Sequence, residues 1–110
     1  MEAKATAKVV RISPTKARLV TEMIQGRNVH HALNVLQTAN KKAARIVEKV
    51  LRSAIANAGN KGPIQEEDLK VLTAVADEGP RLKRFRPASR GRAARYVKRT
   101  SHISVTVSDQ

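Results

Sequence analysis

Apolar and polar residues alternate at the start of the chain. Ala3, Ala5, Ala7 and Val9 fall on one face and Lys4, Thr6 and Lys8 on the other, the period of a half-buried strand over residues 2–10. The period then lengthens. Ser13-Pro14 reads as a helix start, with a hydroxyl cap and proline in the first turn, and Ala17, Val20, Met23 and Ile24 recur at helical spacing up to Gly26. Asn28 is placed to cap a second, short helix whose inner side is Val29, Ala32, Leu33 and Leu36, closed by Thr38-Ala39-Asn40. The third helix is the longest, from Lys41 to about Ala58, with Gly59 as its stop. Ala44, Val47, Leu51, Ala54, Ile55 and Ala58 form one face, and Ile46 and Val50 widen it. This helix is therefore expected to be covered on more than one side and to act as the spine of the core. Breakers at 60–63 and the acids Glu66, Glu67 and Asp68 read as a loop and a solvated turn rather than a metal site. Strand periodicity returns over 69–76, is interrupted or bulged at Asp77-Glu78-Gly79-Pro80, and closes with the β-branched run Ile103–Val107.

Strand, three helices, then strands again argues for an α+β fold. The simplest arrangement is a small antiparallel three-stranded sheet with three helices packed on one face. The last two strands then pair, and what lies between them projects as a long protruding basic β-hairpin, turning at Ala88-Ser89-Arg90-Gly91. The expected organisation is a single domain over 1–110 with the hairpin extension at about 80–100. Ten residues of extended arm reach roughly 30 Å at ~3.3 Å per residue.

Charge makes that projection necessary. The chain carries 22 basic and 9 acidic residues, a net of +13. Arg81–Arg99 holds nine of the basic residues and no acid, so the remaining 91 positions carry 13 basic against 9 acidic. Such a segment cannot be buried on itself, because its cations would be desolvated without partners. Seven of the nine are arginine, whose planar fork pairs bidentately with phosphate and stacks on bases. The only aromatic residues, Phe85 and Tyr96, lie in the same segment, either as base-stacking groups or as a cross-strand pair. The main core must then be built from Ala, Val, Ile, Leu and Met. Nucleic acid is the expected partner. Nine phosphate contacts would set a salt slope of about −6 to −8 as an upper bound.

Other chemistry finds little footing. There is no cysteine, hence no disulfide framework or thiolate metal site. His30, His31 and His102 are the only histidines, the first two adjacent and so directed apart on a helix. No phosphate loop of the form G-x-x-x-x-G-K occurs. The reading is a non-enzymatic protein with no cofactor and no metal. The N-terminus lacks the apolar stretch of a signal peptide and no run is long enough to span a bilayer, so the expected location is cytoplasmic and away from membranes. The competing reading is a DNA-bending architectural protein with basic β-arms, although these usually dimerise through larger apolar side chains than this chain offers.

Four blocks carry a family resemblance: Arg11-Ile12-Ser13-Pro14-Thr15-Lys16-Ala17-Arg18-Leu19-Val20; Lys49-Val50-Leu51-Arg52-Ser53-Ala54-Ile55-Ala56-Asn57-Ala58; Asp77-Glu78-Gly79-Pro80 with Lys83-Arg84; and Gly91-Arg92-Ala93 followed by Lys98-Arg99-Thr100-Ser101-His102-Ile103. In this order, and from end to end, they resemble the L twenty-two family of large-subunit ribosomal proteins. The resemblance implies a structural constituent of the large subunit that binds and braces large-subunit (23S) ribosomal RNA and helps assembly. It implies a monomer within the ribosome, beside other large-subunit proteins, with its hairpin tip lining the exit tunnel against the nascent polypeptide. Carried onto this chain, Arg11, Lys16, Arg18, Lys98, Arg99, Thr100, Ser101 and His102 become the RNA-facing surface of the domain. Arg81, Lys83, Arg84, Arg86 and Arg95 become RNA contacts along the arms. Arg84, Ala88, Ser89, Arg90, Gly91 and Arg92 become the tunnel-lining tip. The chain departs from the family pattern at Ala88, often basic, at Ala94, often acidic, and at Arg86, often apolar.

Overall fold

The computed structural model describes residues 2–62, 65–87 and 93–109, apart from the side chains of 84–87 and 93–96. Strand β1 (Glu2–Val10) leads into helix α1 (Pro14–Ile24), α2 (Val29–Thr38) and α3 (Lys42–Lys61). A single 3-10 turn over Glu66–Asp68 precedes β2 (Lys70–Glu78), β3 (Leu82–Pro87), β4 (Ala93–Lys98) and β5 (Ser101–Ser108).

The domain is α+β, with a three-stranded antiparallel sheet in the order β1-β5-β2. The last-made strand is thus the central one. The helices cover one face: α3 packs on β1 and β5, and α1 on β2. α3 also meets α1 and α2, so it is the spine that its two-sided apolar arc predicts. The core is aliphatic throughout, with Val20, Ile24, Leu36, Val47, Leu51, Leu69, Val71, Ile103, Val105 and Val107 fully buried. Alanines at 17, 32, 44, 54 and 58 are fully buried where helices approach closely. Methionine is absent from the fully buried set among the described residues.

Local signals act as expected at the helix starts. The Ser13 hydroxyl accepts from the Lys16 amide at 3.4 Å, and the Asn28 side chain accepts from the His30 amide at 2.9 Å. Gly26 holds φ at +81° after α1, where a Cβ would be strained. Boundaries differ elsewhere. α3 runs through Gly59 to Lys61 and is capped by Gly62, because one glycine costs a helix only about 1 kcal/mol and does not end it. β2 continues through Asp77 and Glu78, opposite His102 and Ser101, and its irregularity falls between Val71 and Thr73. Val9 leaves the inner face, because the β1–β5 register shifts between Ala7 and Val10.

The basic segment forms its own two-stranded sheet, β3–β4, in register from Leu82 opposite Lys98 to Pro87 opposite Ala93. Neither strand has a substantial partner other than its mate among the described residues. It is therefore an arm rooted between β2 and β5, separated from them by 79–81 and 99–100. The turn expected at 88–91 lies outside the described residues. The molecule extends 64 × 25 × 16 Å with a radius of gyration of 17.0 Å. A compact chain of this length would have roughly 13 Å.

Candidate nucleic-acid interface

The arm is fixed to the domain by polar contacts at its foot. The Gly79 amide donates to the Thr100 carbonyl at 2.9 Å, one bond beyond the end of the β2–β5 ladder. The Thr100 hydroxyl donates to the Pro80 carbonyl, joining the two legs of the arm. The Ser101 hydroxyl donates to the Ile12 carbonyl at 2.7 Å, tying β5 to the β1–α1 connection. Both hydroxyl residues are fully buried. Both side chains are internal ties, each already held by a carbonyl. His102 is also engaged inward. Its Nδ1 accepts from the Val9 amide at 3.0 Å, which places the ring proton on Nε2 and holds the bulge in β1.

Glu78 stands where the legs leave the sheet. Its Oε1 accepts from Arg81 Nε at 2.7 Å and lies 3.5 Å from Arg99 Nη2. The hydrogen bond from Arg81, followed by the charge of the same residue and then Arg99, holds the Glu78 carboxyl below the usual carboxylate range. One carboxylate therefore aims one arginine from each leg.

Beside this foot, the β1–α1 connection, the start of α3 and the end of β4 enclose an open cleft of about 620 Å³. Six cations line it: Arg11, Lys16, Lys41, Lys42, Lys98 and Arg99. No acid lines it among the described residues. Its apolar part comes from Ile12, Leu19 and Ala43. Lys42 Nζ donates to the Arg11 carbonyl at 3.2 Å, so the α3 start and the β1–α1 connection hold one another. Neither α1 nor α3 has an acid in its first turn, and α3 has no side-chain cap, so the field of both helix starts adds to the positive potential.

Of the residues expected from the sequence, Arg11, Lys16, Lys98 and Arg99 converge on this cleft. Arg18 does not, since its Nε donates to the Ala76 carbonyl at 3.0 Å on the outer edge of β2. Arg81 sits with Glu78, and Lys83 lies farther along β3. Arg84, Arg86 and Arg95 lie on the arm's strands, their side chains outside the description; Ala88, Ser89, Arg90, Gly91 and Arg92 are outside it altogether. Lys41 and Lys42 were missed. A signal for them exists: two cations at a helix start oppose the helix dipole, so their placement calls for a reason other than helix stability.

The family described as "Ribosomal protein L22p/L17e" matches residues 5–108. Among similar proteins, the large ribosomal subunit protein uL22 of Staphylococcus aureus (strain JH9) is 50% identical over 109 residues, covering 99% of this chain and 93% of the relative. The same protein name in Staphylococcus haemolyticus (strain JCSC1435) shows the same identity and coverage. A match across nearly the whole chain, with the sheet, helices and rooted basic arm all in place, means that the chain belongs to the ribosomal protein L22p/L17e family.

Proposed function

We propose that this chain, a structural and non-enzymatic constituent of the large subunit of the cytoplasmic ribosome, binds and braces large-subunit (23S) ribosomal RNA at two places. The first is the cleft beside the arm. The second is the arm itself, which passes between RNA segments and carries its tip to the wall of the exit tunnel, where the nascent polypeptide moves past. The supporting observation is the cleft: six cations, two helix starts and no lining acid in one concave surface. Protein partners would be neighbouring large-subunit proteins.

The mechanism is phosphate neutralisation with release of condensed counterions. Lysine ammonium groups supply point charges, while Arg11 and Arg99 add a planar fork. Glu78 limits the rotamers of Arg99, so less side-chain freedom is lost on binding. Phosphate contacts of this kind position a protein without reading sequence. The arm would therefore take its place by the shape of a folded RNA.

Filter binding of the full chain to large-subunit ribosomal RNA over a salt series tests this reading. Lys16→Ala or Lys42→Ala should weaken binding and make the salt slope shallower by about 0.7–0.9 each. Unchanged slopes in both variants would remove the cleft from the interface. Crosslinking in cells should recover large-subunit ribosomal RNA, whereas recovery of mainly chromosomal DNA would favour an architectural DNA-binding role.

A further inference from the structure

The cleft contains more than phosphate binding requires. Leu19, 53% exposed, is the most exposed large apolar side chain among the described residues. Isolated surface leucines are common and carry no message. This one belongs to the wall of a concavity that Ile12 and Ala43 also line, with cations around it. A phosphate gains nothing from an aliphatic floor. The face of a nucleobase does, because it is apolar over its area and has polar groups only at its edge.

We infer that the cleft seats a single unpaired nucleotide of the ribosomal RNA, its base against Leu19 and its flanking phosphates on the cationic rim. The inference rests on the RNA-binding reading above and names what that site takes. A volume of about 620 Å³ lies inside the roughly 300–1,000 Å³ range of small-ligand pockets, the scale of one nucleotide rather than of a helix. A continuous duplex presents phosphate and sugar outward and keeps its base faces stacked, so it would bridge the rim and leave the floor empty. Extruding a base from its stack is costly, least where it is already unpaired, so the target is a bulge or loop nucleotide. The rim has guanidinium planes at Arg11 and Arg99 that can cover a second base face. Lys16, one turn before Leu19 on α1, supplies charge next to the floor.

The test uses the full chain on deproteinised large-subunit ribosomal RNA. Base-edge chemical probing is run alongside hydroxyl-radical footprinting of the backbone. With the unaltered protein, at least one unpaired nucleotide inside the backbone footprint should lose its base reactivity. Leu19→Ser should restore that reactivity, weaken binding about five- to tenfold, and leave the salt slope unchanged. Leu19→Met, which keeps an apolar floor, should retain the protection. Circular dichroism of each variant checks that the exposed substitution leaves the fold intact. A backbone footprint with no protected base, or protection that survives Leu19→Ser, would overturn the nucleotide seat while leaving RNA binding standing. No binding by the unaltered protein would instead overturn the RNA-binding reading itself.

Discussion

At Val9 the backbone and the side chain disagree. A β-branched residue there holds φ at 55°, a region such residues rarely enter. The conformation persists because the β1 register shifts at this point and the Val9 amide is held by His102 Nδ1. Val9→Gly should therefore stabilise the domain by about 1 kcal/mol in thermal or urea unfolding, since the side chain is half-exposed and little packing is lost. Gly79 behaves in the opposite way. A Cβ built there would lie 2.6 Å from the Thr100 hydroxyl and 3.3 Å from the His102 ring. Thr100 is buried and tied to Pro80, so it has no room to give. Gly79→Ala should destabilise by roughly 1–3 kcal/mol, the range of overpacking, with a matching fall in the urea midpoint. Glu48 and Glu78 set the acid limb. Glu48 is held below its ordinary 4.5, first by a hydrogen bond from Arg52, and Glu78 by one from Arg81. Depressed carboxylate values in the folded state mean that their stabilisation is present above pH 4.5 and is lost as pH falls through the folded-state values. A Glu48→Gln, Glu78→Gln double variant should thus show a shallower loss of stability between pH 5 and pH 2, followed by circular dichroism. None of these residue details was legible in the sequence. Alternation placed Val9 on the face of the alanines, and Thr100 and Ser101 were assigned to the RNA-facing surface only through the family resemblance. The bulge and the Ser101 tie depend on contacts about ninety residues apart in the chain and the Thr100 tie on one twenty residues apart, which local pattern does not carry.

The elements themselves were legible because each has a strong local cause. Ser13-Pro14, Asn28 and Gly26 mark helix ends by chemistry that acts within one turn. The existence of the arm was legible from charge alone, because nine cations without an acid cannot be folded inward. What charge could not give was where the arm is cut off from the domain. That point is the foot, where Gly79, Pro80, Thr100 and Glu78 form bonds across both legs. The cleft was half legible: Arg11, Lys16, Lys98 and Arg99 were in view, while Lys41 and Lys42 join them only through the packing of α3. Because β3 and β4 have no substantial partner but each other among the described residues, deleting 83–95 should leave a domain with an unchanged helical circular dichroism signal and weaker RNA binding. An unfolded remainder would mean that the arm is part of the core.

Across the whole molecule, which is 64 Å long, both margins of the sheet carry hydrogen bonds from outside the ladder. Along β1, Asn57 Nδ2 donates to the Lys4 carbonyl at 2.9 Å and Lys61 Nζ to the Glu2 carbonyl at 2.6 Å. Along β2, the Gly26 amide donates to the Val71 carbonyl, the Val71 amide to the Arg27 carbonyl and Arg18 to the Ala76 carbonyl. Occupied margins of this kind suppress edge-to-edge pairing between copies. The position of β5 has a consequence in time. β1 and β2 are not neighbours in the sheet; each has its strand partner in residues 101–108, β2 adding only an isolated bridge between Lys70 and Asn28. During synthesis the three helices and both outer strands emerge with no sheet available to them, and the basic arm follows before the strand that joins everything. Folding of the three-stranded sheet is then a late event with long sequence separation, and in a chain shortened before residue 101 the amides of β1 and β2 should stay unprotected from hydrogen exchange however long it is incubated.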